Sequence, residues 1–195
     1  AANDRILDLA LDPARGLAYL AAGSGGLQIV DVSDPSLPSL VGALPLPGLV
    51  SAVAIVGTDL VAVARRGGSP GVTFVNVAIA TAPAARGSVN EPFVQDPRAL
   101  AARDTVLFVA DDQLGLVSFR FRDPDAPASI GVASGFAARD LDLTANTLLV
   151  GTRSRGLQVV DVSNPIAPIL RSELPAPPIL GVARAKMEPV WADGQ

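Results

Sequence analysis

A thirteen-residue phrase that occurs twice constrains the fold of this chain more than any other feature of its sequence. The phrase reads GLQIVDVSDPSLP from Gly26 and GLQVVDVSNPIAP from Gly156. Two degraded copies begin at Gly71 and Gly115, so successive copies start 45, 44 and 41 residues apart. A fixed period of this length indicates a repeat architecture, in which each repeat buries its apolar face against its neighbours.

Each period contains four short β-type segments separated by turn residues. Several segments, such as 60–64, 106–110 and 147–150, are apolar at nearly every position, which is typical of strands covered on both faces. A four-stranded antiparallel sheet covered on both faces by like sheets is a blade of a β-propeller, whereas a sandwich would place polar residues at alternate positions. Seventeen prolines and eighteen glycines recur with the period and disfavour helices. The predicted strands are 6–11, 17–22, 27–33 and 39–44 in the first period, and 139–143, 148–151, 157–163 and 169–174 in the fourth.

The sequence therefore predicts an all-β propeller of which about four and a half blades are present. An incomplete ring exposes strand edges and one apolar blade face. Two interpretations follow: further blades of the same polypeptide complete the ring, which we favour, or a protein partner covers the open end. The predicted blades are residues 4–48, 49–90, 91–135 and 136–177, with a partial blade at 178–195.

The motif itself has a structural interpretation. Its leading glycine is expected to take a positive φ at the turn into the third strand. The carboxylate near the end of that strand is expected to accept backbone N–H bonds from the turn that follows, and the proline to end the strand. A ligand or calcium channel lined by the repeated aspartates is the alternative, but repetition in phase favours a folding role. The motif residues are Gly26, Asp31, Pro35, Gly71, Gly115, Gly156, Asp161 and Pro165.

Composition excludes several classes of function. The net charge is −4 and Lys186 is the only lysine, so no basic stripe exists that could bind nucleic acid or an anionic membrane surface. The absence of histidine and cysteine removes the usual ligands of zinc, haem iron and copper, and also the commonest general base. No segment approaches the roughly 20 apolar residues needed to span a bilayer. We therefore expect no cofactor, no nucleic-acid partner and no membrane insertion.

Charged loops are the candidate interaction sites. The segments that precede the third strands should emerge on one face of the disc, and the Asp111–Asp112 pair is expected to form an exposed acidic turn there. In the third period, Arg120 and Arg122 share one strand face, where they form either an anion-binding patch or, as we favour, ion pairs such as Arg120 with Asp161. The possible contact face comprises Arg65, Arg66, Asp111, Asp112, Arg153 and Arg155.

The two intact copies of the phrase closely resemble the signature of LVIVD-repeat proteins. This resemblance implies a β-propeller in a bacterial or archaeal protein located outside the cell, at its surface or in the periplasm, and it transfers no catalytic residue. We expect a non-catalytic scaffold or interaction module that contacts a protein partner. The alternatives are a propeller enzyme domain, either a lactonase-like hydrolase or a quinoprotein-like domain, and a glycan-binding module, which the aromatic content of 4% disfavours.

Overall fold

Four antiparallel sheets of four strands each make up the computed structural model, which describes residues 5–175. No helix occurs among these residues. The first sheet contains β1 (Asp8–Asp12), β2 (Leu17–Ala21), β3 (Leu27–Asp31) and β4 (Ser39–Leu44); the second contains β5 (Leu49–Gly57), β6 (Leu60–Arg66), β7 (Gly71–Asn76) and β8 (Ala84–Asn90). The third contains β9 (Pro97–Arg103), β10 (Val106–Asp111), β11 (Gly115–Arg120) and β12 (Ala128–Ala133); the fourth contains β13 (Ala138–Thr144), β14 (Thr147–Thr152), β15 (Leu157–Asp161) and β16 (Ile169–Leu174).

Within each sheet the strands follow chain order, and every strand pairs with the next one along the chain. The all-β prediction is confirmed, and most strands lie within two residues of their predicted bounds. The third strands of the first and fourth sheets end at Asp31 and Asp161, two residues earlier than predicted. They end there because the backbone N–H of Ser33, and likewise that of Ser163, donates to the preceding aspartate side chain instead of to a neighbouring strand.

The second strand of each inner sheet shows why these segments are apolar on both faces. Val61 and Val63 of β6 lie in the apolar cluster shared with the first sheet, whereas Ala62 and Ala64 lie in the cluster shared with the third. In β10, alternate residues likewise face the second and the fourth sheets. Because side chains alternate across a strand, a sheet stacked between two others needs apolar residues at every position.

The four sheets succeed one another like the blades of a propeller. Their first strands lie side by side, with β1 against β5, β5 against β9, and β9 against β13. Three apolar clusters fill the three spaces between successive sheets. Within residues 5–175, extensive packing joins only consecutive sheets. The predicted partial blade at 178–195 lies outside the described residues.

The motif glycines do not all serve the same purpose. Gly26, Gly115 and Gly156 have φ values of 80°, 95° and 73°, as expected for the turn into the third strand. Gly71 does not have a positive φ, so the prediction for this residue is wrong. A Cβ atom at Gly71 would lie 2.7 Å from the carbonyl oxygen of Val89 and 2.8 Å from the Arg65 Nη2. Close packing explains this glycine, not backbone conformation.

A glycine in the fourth strand connects each of the first three sheets to the next. At Gly42, Gly87 and Gly131, the turn between the third and fourth strands of the following sheet lies directly against the glycine. A Cβ atom at Gly87 would be 2.5 Å from the carbonyl oxygens of both Pro124 and Asp125. The Gly87 N–H also donates a hydrogen bond of 2.9 Å to the Pro124 oxygen. The fourth strand must therefore lack a side chain at this position for the next turn to dock.

Candidate functional site

One end of the sheets gathers most of the predicted contact residues. We call it the loop face; it consists of the turns from second to third strands at residues 22–26, 67–70, 112–114 and 153–156, together with the connections between successive sheets. Antiparallel meander connectivity places these segments at the same end of every sheet. The side chains at this end, however, differ greatly in exposure.

Arg65, predicted to belong to the contact face, is buried with only 3% of its surface exposed. Its guanidinium donates to neutral oxygens alone, among them Thr73 Oγ1 at 3.0 Å, Asn90 Oδ1 at 2.8 Å and the carbonyl oxygen of Ser69 at 2.9 Å. Burial lowers the pKa of Arg65 from its usual value. Arg65 therefore organises the loop behind the surface and cannot itself present a charge to a partner.

Asp111 is also fully buried, which contradicts the prediction of an exposed acidic turn. Its Oδ2 accepts the backbone N–H groups of Gln95 and Asp96 at 2.8 and 2.9 Å. Its Oδ1 accepts those of Gln113 and Leu114, both at 2.9 Å. A carboxylate with four amide donors is a loop organiser, because it joins the β10–β11 turn to the connection that enters the third sheet.

Asp112 is the centre of an arginine network, not an exposed acidic residue. Its side chain is 3% exposed, and Arg139 binds it through two hydrogen bonds of 3.0 and 2.9 Å. Arg153 also donates to its Oδ2, and Arg98 lies 3.4 Å from the same oxygen. Arg98 in turn donates to Asp96 at 2.6 Å. This network spans the third and fourth sheets and holds three guanidinium groups in defined positions.

The first-strand arginines of this network, Arg98 and Arg139, were not among the predicted site residues. Each occupies the second position of the first strand of its sheet, so the two are equivalent in the repeat. Aligning the repeats could therefore have identified these two arginines as equivalent positions. The role of both residues depends on Asp112, which lies in a different segment of the chain.

Arg66 differs from the other loop-face arginines because its guanidinium has no hydrogen-bond partner among residues 5–175, and its Nε atom is buried. It borders an open groove of about 580 Å³ between the second and third sheets. Arg155, half exposed, lies 4.0 Å from Glu173 and outside this groove. The groove is lined by Leu49, Arg66, Gly67, Gly68, Pro70, Glu91, Gln95, Asp96, Arg98 and Gln113.

The predicted pairing of Arg120 with Asp161 is wrong. Asp161 instead binds Arg171 of the neighbouring strand in its own sheet, with its Oδ2 accepting Nη2 at 2.6 Å. Arg120 is half-buried and Arg122 is exposed, and the described part of the chain offers neither side chain an ion-pair partner. The two arginines therefore converge on no common site that the structure shows.

Asp161 contributes to the stability of the folded protein in a way that depends on pH, and the sign of this dependence can be predicted. Hydrogen bonds from Arg171, and then those from Ser163, hold its pKa far below the ordinary 3.8. Because the folded pKa is below the unfolded one, the stabilisation is complete above about pH 4 and is lost as the pH falls towards the folded pKa.

We expect Arg171→Ala to raise the Asp161 pKa towards 3.8, as followed by NMR titration of the side-chain carboxyl carbon. The carboxyl group of Asp125, whose pKa is lowered by Arg86, serves as the internal control and should not change. An unchanged Asp161 pKa in the variant would assign the shift to the Ser163 bonds instead.

Two further observations concern the described residues. Over 5–175, no group of three or more acidic side chains converges in a way that could hold a metal ion. The same span contains no helix long and apolar enough to cross a membrane.

Solved structures resemble this arrangement at low sequence identity. The computationally designed Ika8 protein matches with a TM-score of 0.63 and 11% identity, over 85% of this chain and 48% of its own. A functionally unknown protein from Desulfotomaculum acetoxidans DSM 771 matches with a TM-score of 0.70 and 11% identity, over 87% of this chain and 56% of its own. The chain thus spans about half the length of these structures, and at this identity the likeness concerns the fold alone.

Family comparison agrees with the repeat pattern. No curated protein sequence matches the chain. The LVIVD repeat family matches residues 16–44 and 137–174, which contain the two intact copies of the phrase. These two segments are therefore similar to LVIVD repeats, and they lie in the first and fourth of the four propeller-type sheets.

Proposed function

We propose that this chain is a non-catalytic interaction module of a secreted, periplasmic or cell-surface bacterial protein, and that it contacts a protein partner through the loop face. The observation that best supports this proposal is the arginine network around Asp112. It holds charged groups of two sheets in fixed positions on the loop face, where the half-exposed Arg153 reaches solvent. Fixed polar groups lower the entropic cost of ordering an interface upon binding.

The lack of a conventional catalytic set supports the non-catalytic part of the proposal. The whole sequence has neither histidine nor cysteine, so a Ser-His-Asp or Cys-His arrangement cannot be assembled. The repeat family supports the proposed location, since the resemblance implies secreted or surface proteins. Apolar clusters occupy the spaces between the sheets, so the polar groups that neighbouring sheets share lie at the two ends, and the loop face is the end that holds the Asp112 network.

A pair of tryptophan substitutions tests where a partner binds. Gln113 is exposed on the loop face, and Thr58 is exposed at the opposite end of the sheets. A partner is first identified by mass spectrometry after cross-linking in the secreted and envelope fractions of the source organism, then purified. We expect Gln113→Trp to weaken its binding roughly tenfold or more, because a bulky ring obstructs a well-packed contact, and Thr58→Trp to change it less than about twofold.

Three kinds of outcome would contradict the proposal, each a different part of it. Equal binding by both variants, or weakening by Thr58→Trp alone, would exclude the loop face as the contact surface. Turnover of a lactone, or of an alcohol with added quinone, by the purified protein would exclude a non-catalytic role. Detection of the native protein only in the cytoplasmic fraction would contradict the proposed location.

A further inference from the structure

The groove between the second and third sheets contains two arginine donors without acceptors. The Nε atoms of Arg66 and Arg98 are both buried and have no hydrogen-bond partner among residues 5–175. Both residues line the same groove. Leaving a buried N–H of a charged group without an acceptor costs free energy, so such a donor indicates a missing acceptor. Two of them beside one open groove indicate that the acceptor enters from this groove.

Both arginines and carboxylates surround the groove. Arg66 and Arg98 line it, and Arg139 and Arg153 are connected to it through Asp112. Four carboxylates accompany these guanidinium groups: Asp96 and Asp112 in the network, Glu91 on the groove wall, and the buried Asp111, which accepts the N–H groups of two groove-lining residues. Within residues 5–175, Arg66 is the one of these four arginines whose guanidinium pairs with no carboxylate, and it lies in a partly dehydrated place, where electrostatic attraction is stronger than in bulk water.

The surroundings of Arg66 disfavour its charged form. Burial first, and then repulsion from Arg98 and Arg139, lower its pKa, while Asp96 and Asp112 act in the opposite direction. Its guanidinium is thus partly dehydrated, close to like charges and without a partner. An incoming anion would supply the missing acceptor and offset the repulsion from the like charges.

We propose that the groove binds a single carboxylate group, contributed by an acidic segment of a protein partner, with Arg66 and Arg98 as the binding residues. The inference deepens the proposed function and rests on its loop-face contact. A guanidinium offers two parallel N–H donors that match a planar carboxylate, as Arg139 already does with Asp112. A phosphate dianion fits less well, because Asp96 and Glu91 border the same groove and would repel the second charge.

The test observes the two Nε–H groups directly by ¹⁵N NMR during titration. The probes are the peptide acetyl-Glu-Glu-Glu-amide, the uncharged peptide acetyl-Gln-Gln-Gln-amide, sodium acetate and inorganic phosphate. We expect saturable shifts of the Arg66 and Arg98 Nε–H signals with the glutamate peptide and none with the glutamine peptide. We expect Arg66→Ala to weaken binding of the glutamate peptide roughly tenfold, and Arg66→Lys to weaken it less, because the charge remains while the planar donor pair is lost.

The control is Arg122→Ala, which also removes one positive charge from an exposed arginine that has no ion-pair partner in the described chain. Its binding should stay within about twofold of the unmodified protein, whereas nonspecific charge attraction would weaken both variants equally. Arg66 makes no side-chain hydrogen bond, so its alanine variant is expected to remain folded, as unfolding midpoints will verify.

Each of the remaining outcomes either supports or overturns the inference. Tighter binding of acetate than of the peptide supports a carboxylate site but assigns it to a small free carboxylate. Tighter binding of phosphate than of the peptide, or no saturable shift with any carboxylate probe, overturns it. Either negative result leaves the proposed partner contact intact, since the Gln113→Trp experiment measures that contact independently.

Discussion

Replacing Asp111 with alanine is expected to destabilise the protein by about 3–5 kcal/mol, the largest single effect that the structure predicts. The buried carboxylate accepts four backbone N–H groups, and alanine would leave all four without an acceptor in a place closed to water. Folded domains are stable by about 5–15 kcal/mol, so such a loss is a large part of the total. Chemical denaturation monitored by circular dichroism measures it.

Asp111→Asn separates the charge from the shape of the side chain. The amide keeps one acceptor oxygen but turns an NH₂ group towards two of the four N–H donors, so we expect a loss of about 2–3 kcal/mol. Amide hydrogen exchange should accelerate at Gln95, Asp96, Gln113 and Leu114 in both variants, because these amides lose their acceptor.

Asp142→Ala is the matched control for this substitution. Asp142 is half-buried on β13, and among residues 5–175 no hydrogen bond or ion pair of its side chain is found. Its replacement should change the free energy of unfolding by less than about 0.5 kcal/mol. A loss below about 1 kcal/mol for Asp111→Ala would show that water reaches these amides and that Asp111 does not organise the loop.

The second large effect concerns the contact between sheets. We expect Gly87→Ala to destabilise the protein by about 2–4 kcal/mol, because the new methyl group would overlap the carbonyl oxygens of Pro124 and Asp125 at 2.5 Å. The hydrogen bond of 2.9 Å from the Gly87 N–H to the Pro124 oxygen would be lost as the turn moves away. The adjacent ion pair between Arg86 and Asp125 would have to move as well.

Gly57→Ala provides the comparison for Gly87→Ala. Gly57 lies at the end of β5, has no positive φ, and a Cβ atom there would be 3.5 Å from Leu60 Cβ, an ordinary contact. Alanine at this position should be neutral or slightly stabilising, by less than about 1 kcal/mol. If the two alanine variants unfold at the same denaturant concentration, the fourth-strand glycine is not required for docking of the next sheet.

The repeat phrase was sufficient to predict the architecture because its signals are local. Gly26 and Pro35 delimit a strand, and the strand contains the apolar residues that a sheet covered on both faces needs. The hydrogen bond from the Ser33 N–H to Asp31 was predictable for the same reason, since the partners are two residues apart.

The candidate site was less accessible to prediction. Asp112 was assigned to an exposed acidic turn because it lies in the loop before a third strand, yet arginines of two sheets surround it. Arg139 is 27 residues away in the chain, and no rule of spacing brings the two together. Spacing in the sequence likewise did not identify the partner of Asp161. For Asp161, a residue of the neighbouring strand, not the equivalent repeat position, supplies the partner.

By itself, the sequence determined the repeat, the strands, their turns and the all-β class, because periodic apolar residues and turn chemistry act over a few residues. Only the tertiary structure decided that Asp111 and Arg65 are buried, that Arg66 has no partner, and that the fourth-strand glycines receive the next turn. These features depend on the distance and angle at which one sheet stacks on the next. That geometry follows from the packing of whole sheets, in which every residue of two faces takes part.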